Sequence, residues 1–161
     1  MKFLLASFGV GAILMLCTIA AYAETATSQP APTHGACALL KPEDLTVLLG
    51  AVPSYSSKKG ACTWTVSGKK TKLITAKFPE EGMAAEMAYY DAEKNASKGG
   101  QVISLHGLGD KGFARLNRIG VVLVTIKKGQ LLQIVYATGS VGTQKDVDAL
   151  KPVVMKAIAS F

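Results

Sequence analysis

The chain has 161 residues and a formal net charge of +7, and three of its residues are cysteine. This length suits a single domain, since a chain of that size buries about two-thirds of its unfolded surface. The basic excess predicts weak contact with anionic surfaces. Nucleic-acid binding is not expected, because the lysines are not interleaved with aromatic side chains along a strand.

Residues 1–23 have the pattern of a secretory signal peptide. Lys2 supplies a positive charge, residues 3–20 are apolar, and Ala21-Tyr22-Ala23 matches the small-x-small cleavage pattern. We therefore predict cleavage at about the end of this motif and a periplasmic or secreted protein. A retained membrane anchor and a lipid-modified Cys17 are the two alternatives.

Residues 24–35 follow as a polar stretch with two prolines and no hydrophobic period. We predict that this stretch is a flexible leader. The remaining residues, 36–161, contain no internal repeat or low-complexity tract and are predicted to form a single domain.

Two cysteines, Cys37 and Cys62, lie beyond the predicted cleavage site. An even number of cysteines in an exported chain favours a disulfide, and closing a loop of roughly 26 residues stabilises a fold by about 3.5 kcal/mol. Two buried free thiols are the alternative. No metal site is predicted, because His34 and His106 do not complete a ligand set at zinc spacing.

The first helix is predicted over residues 42–49. Pro42 suits the first helical position, and Gly50 supplies a stop signal after the last apolar residue. The acidic residues of the first turn match the helix dipole. This helix is strongly apolar and is expected to lie against a sheet, and a turn-rich connection is predicted over residues 51–60.

Six strands are predicted from short runs, bounded by turn residues, in which apolar residues alternate with polar ones or dominate. The runs cover residues 61–66, 71–78, 101–105, 111–116, 120–127 and 130–138. In the first strand, Cys62 and Trp64 share a face, which we predict to be the inner face. Lys128 and Gly129 are predicted to form a tight hairpin between the last two strands.

A long second helix is predicted over residues 79–97. Met83, Met87 and Tyr90 recur in it at helical spacing, and we predict that they form its buried stripe. Two methionines on one helix face are also typical of an adaptable ligand surface, which is the alternative interpretation.

The closing helix is predicted over residues 144–160, with Thr143 as its N-cap. Pro152 lies inside the apolar pattern of this helix. Because proline has no backbone N–H and clashes with the preceding turn, we predict that it kinks the helix or splits it after Leu150.

The predicted order of elements is α-β-β-α-β-β-β-β-α. Most neighbouring strands are joined by short turns, which favours antiparallel pairing. We therefore predict an α+β fold, in which a single twisted, mainly antiparallel sheet carries helices packed on one face and one disulfide.

The string Gly107-x-Gly109-x-x-Gly112 matches the glycine spacing of dinucleotide-binding loops. Such a loop must lie between a strand and a helix, so that the phosphates meet the helix N-terminus. Here the string leads into another strand, and no acidic residue follows at the required distance. We predict instead a glycine-rich turn with positive φ angles, and no cofactor.

His106 and Asp110 come closest to an acid–base pair. A hydrolase would also need a positioned nucleophile, and the two cysteines are predicted to pair with each other. The carboxylates of the second helix are assigned to its solvent face. A small hydrolase that uses His106 and Asp110 is therefore the third hypothesis in rank, and no catalytic residue is assigned.

Several short motifs occur in order along the chain: Cys-x-Leu-Leu, an acidic helix ending in Leu-Leu-Gly, Cys-x-Trp, and Gly-Leu-Gly-Asp before an aromatic residue. They are carried by Cys37, Leu39, Leu40, Asp44, Leu48, Leu49, Gly50, Cys62, Trp64, Gly107, Leu108, Gly109, Asp110 and Phe113. With these motifs the chain resembles a group of small exported bacterial domains of uncharacterised function, which includes actinobacterial lipoproteins and, more distantly, sensor domains of mycobacterial receptor kinases. The resemblance implies an α+β sandwich with one disulfide and no known activity.

Together these features predict an exported, non-catalytic binding or interaction module of the cell envelope. Its partner is expected to be an envelope protein or a small ligand held in a cleft between the helices and the sheet. An inhibitor or immunity-like protein that acts on an envelope hydrolase is the alternative. The predicted interaction surface comprises His106, Gly107, Gly109, Asp110, Phe113, Lys69, Lys70, Lys127 and Lys128.

Overall fold

The computed structural model describes residues 35–58, 60–67, 72–77 and 81–161. The predicted signal peptide, the predicted leader as far as residue 34, and two lysines of the predicted interaction surface, Lys69 and Lys70, lie outside these residues. Within them, no helix is long and apolar enough to cross a membrane.

The described residues form one sheet of seven strands in the order β1-β2-β3-β7-β6-β5-β4, and every neighbouring pair is antiparallel. A 3₁₀ turn, Gly35–Ala38, precedes the first α-helix. The helices are α1 (Pro42–Leu49), α2 (Gly82–Ala96) and α3 (Gln144–Ile158). The strands are β1 (Ser54–Lys58), β2 (Ala61–Val66), β3 (Lys72–Lys77), β4 (Gln101–Ser104), β5 (Lys111–Asn117), β6 (Gly120–Lys127) and β7 (Gln130–Ala137).

The predicted α+β class, the antiparallel sheet and the disulfide are confirmed. Cys37 in the 3₁₀ turn is bonded to Cys62 in β2, with 4.9 Å between the two Cα atoms, a separation typical of disulfides. Both cysteines are buried, and Trp64, two residues further along β2, is fully buried in the same cluster. The disulfide therefore fixes the start of the domain onto the inner face of the sheet.

One strand, β1, lies in the segment for which only a turn-rich connection was predicted. Its sequence, Ser54-Tyr55-Ser56-Ser57-Lys58, is polar and almost entirely exposed. It forms the edge of the sheet and pairs along its whole length with β2. A polar edge strand lacks the apolar alternation that reveals buried strands, because its order comes from backbone pairing. The other predicted helices and strands occur in the predicted order.

The helices lie on both faces of the sheet, so the prediction that they pack on one face is wrong. Alternating residues of β6 belong to two separate clusters. Leu123 lies in the cluster that includes the buried residues of α1 and α3, whereas Val124 lies in the cluster that includes the buried residues of α2. Successive side chains of a strand point to opposite faces, so α2 covers the face opposite to α1 and α3.

Topology explains this placement of α2. The helix connects β3, inside the sheet, to β4 at its edge. Because every neighbouring pair is antiparallel, β3 and β4 run in the same direction, and three strands separate them. Such a connection must cross a face of the sheet. α1 and α3 already cover one face, and α2 takes the other.

The orientation of α2 differs from the prediction as well. Met83 and Met87 are 80% and 63% exposed, and Tyr90 is exposed on the same side. Ala85 and Tyr89 are buried instead. Tyr89 makes an edge-to-face ring contact, with 5.5 Å between the ring centroids, with a phenylalanine of β5. The predicted buried stripe is therefore the solvent-facing stripe of this helix.

α3 begins with the predicted cap and continues through its proline. Thr143 and Asp146 form a reciprocal capping box, in which the backbone N–H of each residue is bonded by the side chain of the other. Pro152 lies inside an unbroken helix, so the predicted split after Leu150 does not occur. The proline is exposed, which allows water to bond the carbonyl that it leaves without a helical donor.

Candidate binding groove

α1 and α3 lie side by side on one face of the sheet and run in opposite directions. At one end, Asp44 in the first turn of α1 forms an ion pair with Lys156 in the last turn of α3. At the other end, the carbonyl oxygen of Leu48, near the end of α1, accepts a bond from the hydroxyl of Tyr136 in β7. A groove runs between the two helices.

The groove has a volume of about 490 Å³, which lies within the range of small-molecule sites. Its apolar lining is contributed by Val47, Leu48, Tyr136, Ala149, Pro152 and Val153. Its charged lining is contributed by Glu43, Asp44, Lys145, Asp146 and Lys156. A mostly apolar concavity with a few polar groups is the usual form of a ligand site.

The sequences of the two helices explain why apolar side chains line the groove. α1 buries Leu45 and Leu49 against the sheet, yet it also carries Val47 on its outer side, where this side chain is 88% exposed. On α3, Ala149 and Pro152 are exposed beside the buried stripe of that helix. Both helices therefore carry apolar side chains that the core does not bury, and these side chains line the groove.

Tyr136 places a polar group on the floor of the groove. The residue is only 4% exposed, and its hydroxyl lies 3.5 Å from the carbonyl oxygen of Leu48, a long and weak hydrogen bond. Burial, and then the negative charge of Asp146, raise the pKa of Tyr136 above its ordinary value. The phenol therefore stays neutral at physiological pH and presents its oxygen to the groove as an acceptor.

The predicted turn around His106 lies in a different, polar cleft of about 330 Å³. Residues 104–107 and 109–112 form one side of this cleft, and Tyr89, Tyr90 and Glu93 of α2 form the other. Lys111 lies at the border, where it pairs with Glu86 at 2.8 Å and stands over the ring of Tyr90. Its bonds to Glu86 and then to the Tyr90 hydroxyl raise the pKa of Lys111.

The polar groups of this turn are used to hold the turn itself. The carboxylate of Asp110 accepts a hydrogen bond from the backbone N–H of Lys128 at 2.8 Å. The backbone N–H of Asp110 donates to the carbonyl oxygen of Ile126. Thr125, which is fully buried, donates to the carbonyl oxygen of Leu108 at 2.7 Å. No hydrogen bond between described atoms joins His106 to Asp110. The arrangement thus gives Asp110 a structural contact, and His106 stays exposed beside it.

Three further residues of the predicted interaction surface make contacts inside the fold. Phe113 is 2% exposed and packs under α2, so its assignment to a surface is wrong. Phe113 points inward because strand alternation places it on the α2 face of β5. Lys127 donates to the carbonyl oxygen of Ile158 at 2.9 Å, and Lys128 to that of Phe161 at 2.8 Å. Both lysines therefore stabilise the end of α3, where positive charge is favoured.

The glycine-rich turn has the predicted backbone, since Gly107 and Gly109 have φ angles of +76° and +71°. The two positions differ in space: a Cβ at Gly107 meets nothing, whereas a Cβ at Gly109 collides with the carbonyl oxygen of Ile126. We expect Gly107→Ala to lower the free energy of unfolding by about 1 kcal/mol through backbone strain. Gly109→Ala should lower the free energy of unfolding by about 1–3 kcal/mol more than Gly107→Ala does, because its methyl group overpacks the site.

Urea denaturation followed by circular dichroism measures both losses. Gly107→Ala serves as the control for Gly109→Ala, because the backbone strain is the same and only the collision differs. Equal losses in the two variants would contradict the close approach of Gly109 to β6.

Sequence reasoning missed the groove between α1 and α3. One signal was available, because residues 45–49 of α1 carry more apolar side chains than one helix face can bury. The partner residues on α3 and β7 carry no comparable signal.

Comparison of the chain with protein-family models, with curated proteins and with solved structures found no match. The resemblance to small exported bacterial domains therefore stays a hypothesis. Within the described ranges, no group of three or more His, Cys, Asp or Glu side chains could hold a metal ion.

Proposed function

We propose that the chain is an exported, non-catalytic binding module of the cell envelope that holds a small, largely apolar ligand in the groove between α1 and α3. The observation that carries the proposal is the groove itself. Its volume is about 490 Å³, and its walls expose apolar side chains of both helices. Apolar surface that stays in water is costly, and a contiguous apolar concavity is typical of a ligand site.

The disulfide and the N-terminal pattern support the exported part of the proposal. Disulfides form and persist in oxidising compartments outside the cytosol, and Cys37 and Cys62 are bonded. Residues 1–23 have the composition of a signal peptide. We therefore expect the ligand to be a small molecule of the cell envelope with a large apolar portion.

A fluorescence titration tests the proposal. N-phenyl-1-naphthylamine is an uncharged apolar dye whose emission rises when it leaves water. We expect saturable binding to the wild-type protein, and a loss of affinity of about ten-fold or more in Ala149→Trp, because each factor of ten is about 1.4 kcal/mol and the indole fills the groove. Ala149 is exposed in the groove wall, so the larger side chain should leave the core unchanged.

Ala84→Trp is the matched control, since Ala84 is an exposed residue of α2 on the opposite face of the sheet. This variant should bind the dye as the wild type does, and both variants should keep the wild-type melting temperature within a few degrees. Absence of saturable binding to the wild type, or equal binding by Ala149→Trp, would overturn the proposal.

A further inference from the structure

The polar cleft beside α2 brings side chains of that helix opposite to the end of β4. Tyr89 and Glu93 are four positions apart, so they share one face of α2, and both line the cleft. Ser104, the last residue of β4, is paired with Phe113 of β5, and paired residues share a face of the sheet. Because Phe113 packs under α2, Ser104 lies on the α2 side as well.

His106 lies on the same side of the cleft as Ser104. Leu105, between them, is buried in the cluster on the other face of the sheet, whereas Ser104 and His106 both line the cleft. One wall of the cleft therefore carries a hydroxyl and an imidazole, and the other wall carries a phenol and a carboxylate.

Tyr89 is the most deeply buried polar side chain of the cleft. It is 4% exposed, and its ring makes edge-to-face contacts with Phe113 and, at 6.2 Å between centroids, with Tyr90. Its hydroxyl forms no hydrogen bond with a described atom, although a buried phenol normally has a partner. Burial, and then the negative charge of Glu93, raise the pKa of Tyr89, so the phenol keeps its proton. The fold thus holds a hydrogen-bond donor in the cleft wall without an acceptor.

Two charged groups of the cleft are already engaged. Lys111, the one lysine of the lining, forms an ion pair with Glu86 at 2.8 Å. The carboxylate of Asp110 accepts the backbone N–H of Lys128. An anionic ligand would therefore meet the carboxylates of Glu93 and Asp110 without an unpaired lysine to balance its charge.

The other polar side chains of the cleft require both donors and acceptors from a ligand. The phenol of Tyr89 needs an acceptor, and the carboxylate of Glu93 can only accept. Glu93, Ser104 and His106 form no side-chain hydrogen bond or ion pair with a described atom. An ammonium group supplies donors alone and a carboxylate supplies acceptors alone, whereas a hydroxyl group supplies both.

We propose that the polar cleft binds a neutral polyhydroxylated ring, such as a monosaccharide, whose hydroxyl groups accept from Tyr89 and donate to Glu93. The volume of about 330 Å³ lies at the lower end of small-molecule sites and suits a single sugar ring. The cleft and the groove between α1 and α3 lie on opposite faces of the sheet. This inference therefore does not rest on the proposed function and adds a second site to it.

A nuclear magnetic resonance titration of the isotope-labelled protein tests the inference. The methyl glycosides of glucose, galactose and mannose serve as probes, because they differ only in the direction of individual hydroxyl groups. We expect at least one of them to bind saturably, with a dissociation constant in about the millimolar range. Binding should shift the backbone amides of residues 89–93 and 104–112 and leave those of α1 and α3 unchanged. Cyclohexylamine and cyclohexanecarboxylate, which match the ring size, should bind about ten-fold more weakly or less.

Two variants identify the groups that recognise the sugar. Tyr89→Phe should weaken binding about two- to ten-fold, the effect of one neutral hydrogen bond, and should not lower the melting temperature, because the hydroxyl bonds no described atom. Glu93→Gln should weaken binding about five-fold or more, since hydrogen bonds to a charged group are stronger. Asp91→Asn, at an exposed position of α2 outside the lining, is the control and should keep the wild-type affinity.

The outcomes are distinct from those of the dye titration, because the amide shifts report on the cleft and the dye reports on the groove. Absence of saturable binding by all three sugars would overturn the inference, as would shifts confined to α1 and α3. Equal or tighter binding of the amine or the carboxylate would overturn it too. Wild-type affinity in both Tyr89→Phe and Glu93→Gln would show that the sugar does not bind as proposed.

Discussion

Removal of the disulfide between Cys37 and Cys62 is expected to lower the free energy of unfolding by about 3.5 kcal/mol, because the unfolded chain regains the entropy that a loop of roughly 26 residues loses on closure. The bond joins the 3₁₀ turn to β2, and both cysteines are buried in the cluster that contains Trp64. Without the bond, the start of the domain loses its covalent link to the sheet and keeps the apolar contacts of that cluster. The double variant Cys37→Ala, Cys62→Ala measures this loss in urea denaturation.

A reducing agent provides the control for this experiment. Dithiothreitol should destabilise the wild-type protein by a similar amount once the disulfide is opened, and it should have no effect on the double variant, which has no thiol in the described domain. A free-thiol assay on the denatured, non-reduced wild-type protein should detect neither Cys37 nor Cys62. A loss below about 1 kcal/mol in the double variant would contradict the role given to the bond.

The elements with strong local signals could be predicted from the sequence. α1 occupies Pro42–Leu49 as expected, because proline at its start and Gly50, with a φ of +85°, at its end are properties of the local chain. β6 and its hairpin to β7 were equally clear, since Lys128 and Gly129 both adopt positive φ angles in a two-residue turn. These features depend only on residues that are close together in the chain, so one sequence is enough to predict them.

The orientation of α2 could not be predicted in the same way. Its sequence contains two stripes at helical spacing, one with Met83 and Met87 and one with Ala85 and Tyr89. The methionines are the more hydrophobic set, yet the smaller alanines let the helix approach the sheet closely, and Tyr89 meets Phe113 across the interface. The shape of the sheet face decides which stripe is buried. The spacing of apolar residues along the helix carries no information about that shape.

The groove between α1 and α3 could not be predicted, for a related reason. Asp44 and Lys156 lie 112 positions apart in sequence, and Tyr136 reaches the groove from a strand between them. Each residue has an ordinary local role, as a helix-terminal charge or as an inward-facing strand residue. Their combination exists only because α1 and α3 run in opposite directions on the same face. The glycine-rich turn after His106 could be predicted, because it lies in one continuous segment.

Trp64 provides the second large stability effect. Its side chain is fully buried, and its indole nitrogen has no hydrogen-bond partner among the described residues. Trp64→Ala is expected to lower the free energy of unfolding by about 4 kcal/mol, since it removes a large apolar side chain and leaves a cavity. Trp64→Phe should lose only about 1 kcal/mol, because the smaller ring also removes a buried N–H whose desolvation costs about 1–3 kcal/mol when it is unpaired.

Urea denaturation followed by circular dichroism measures both variants, because Trp64 is the only tryptophan of the chain and its fluorescence is lost in each. Val141→Ala, at a side chain that is 65% exposed, is the surface control and should change stability by less than about 0.5 kcal/mol. If the indole N–H were paired, Trp64→Phe would lose that hydrogen bond and leave its acceptor without a donor, and its cost would approach that of Trp64→Ala. The gap between the two variants therefore reports whether the tryptophan stabilises the core through its volume alone.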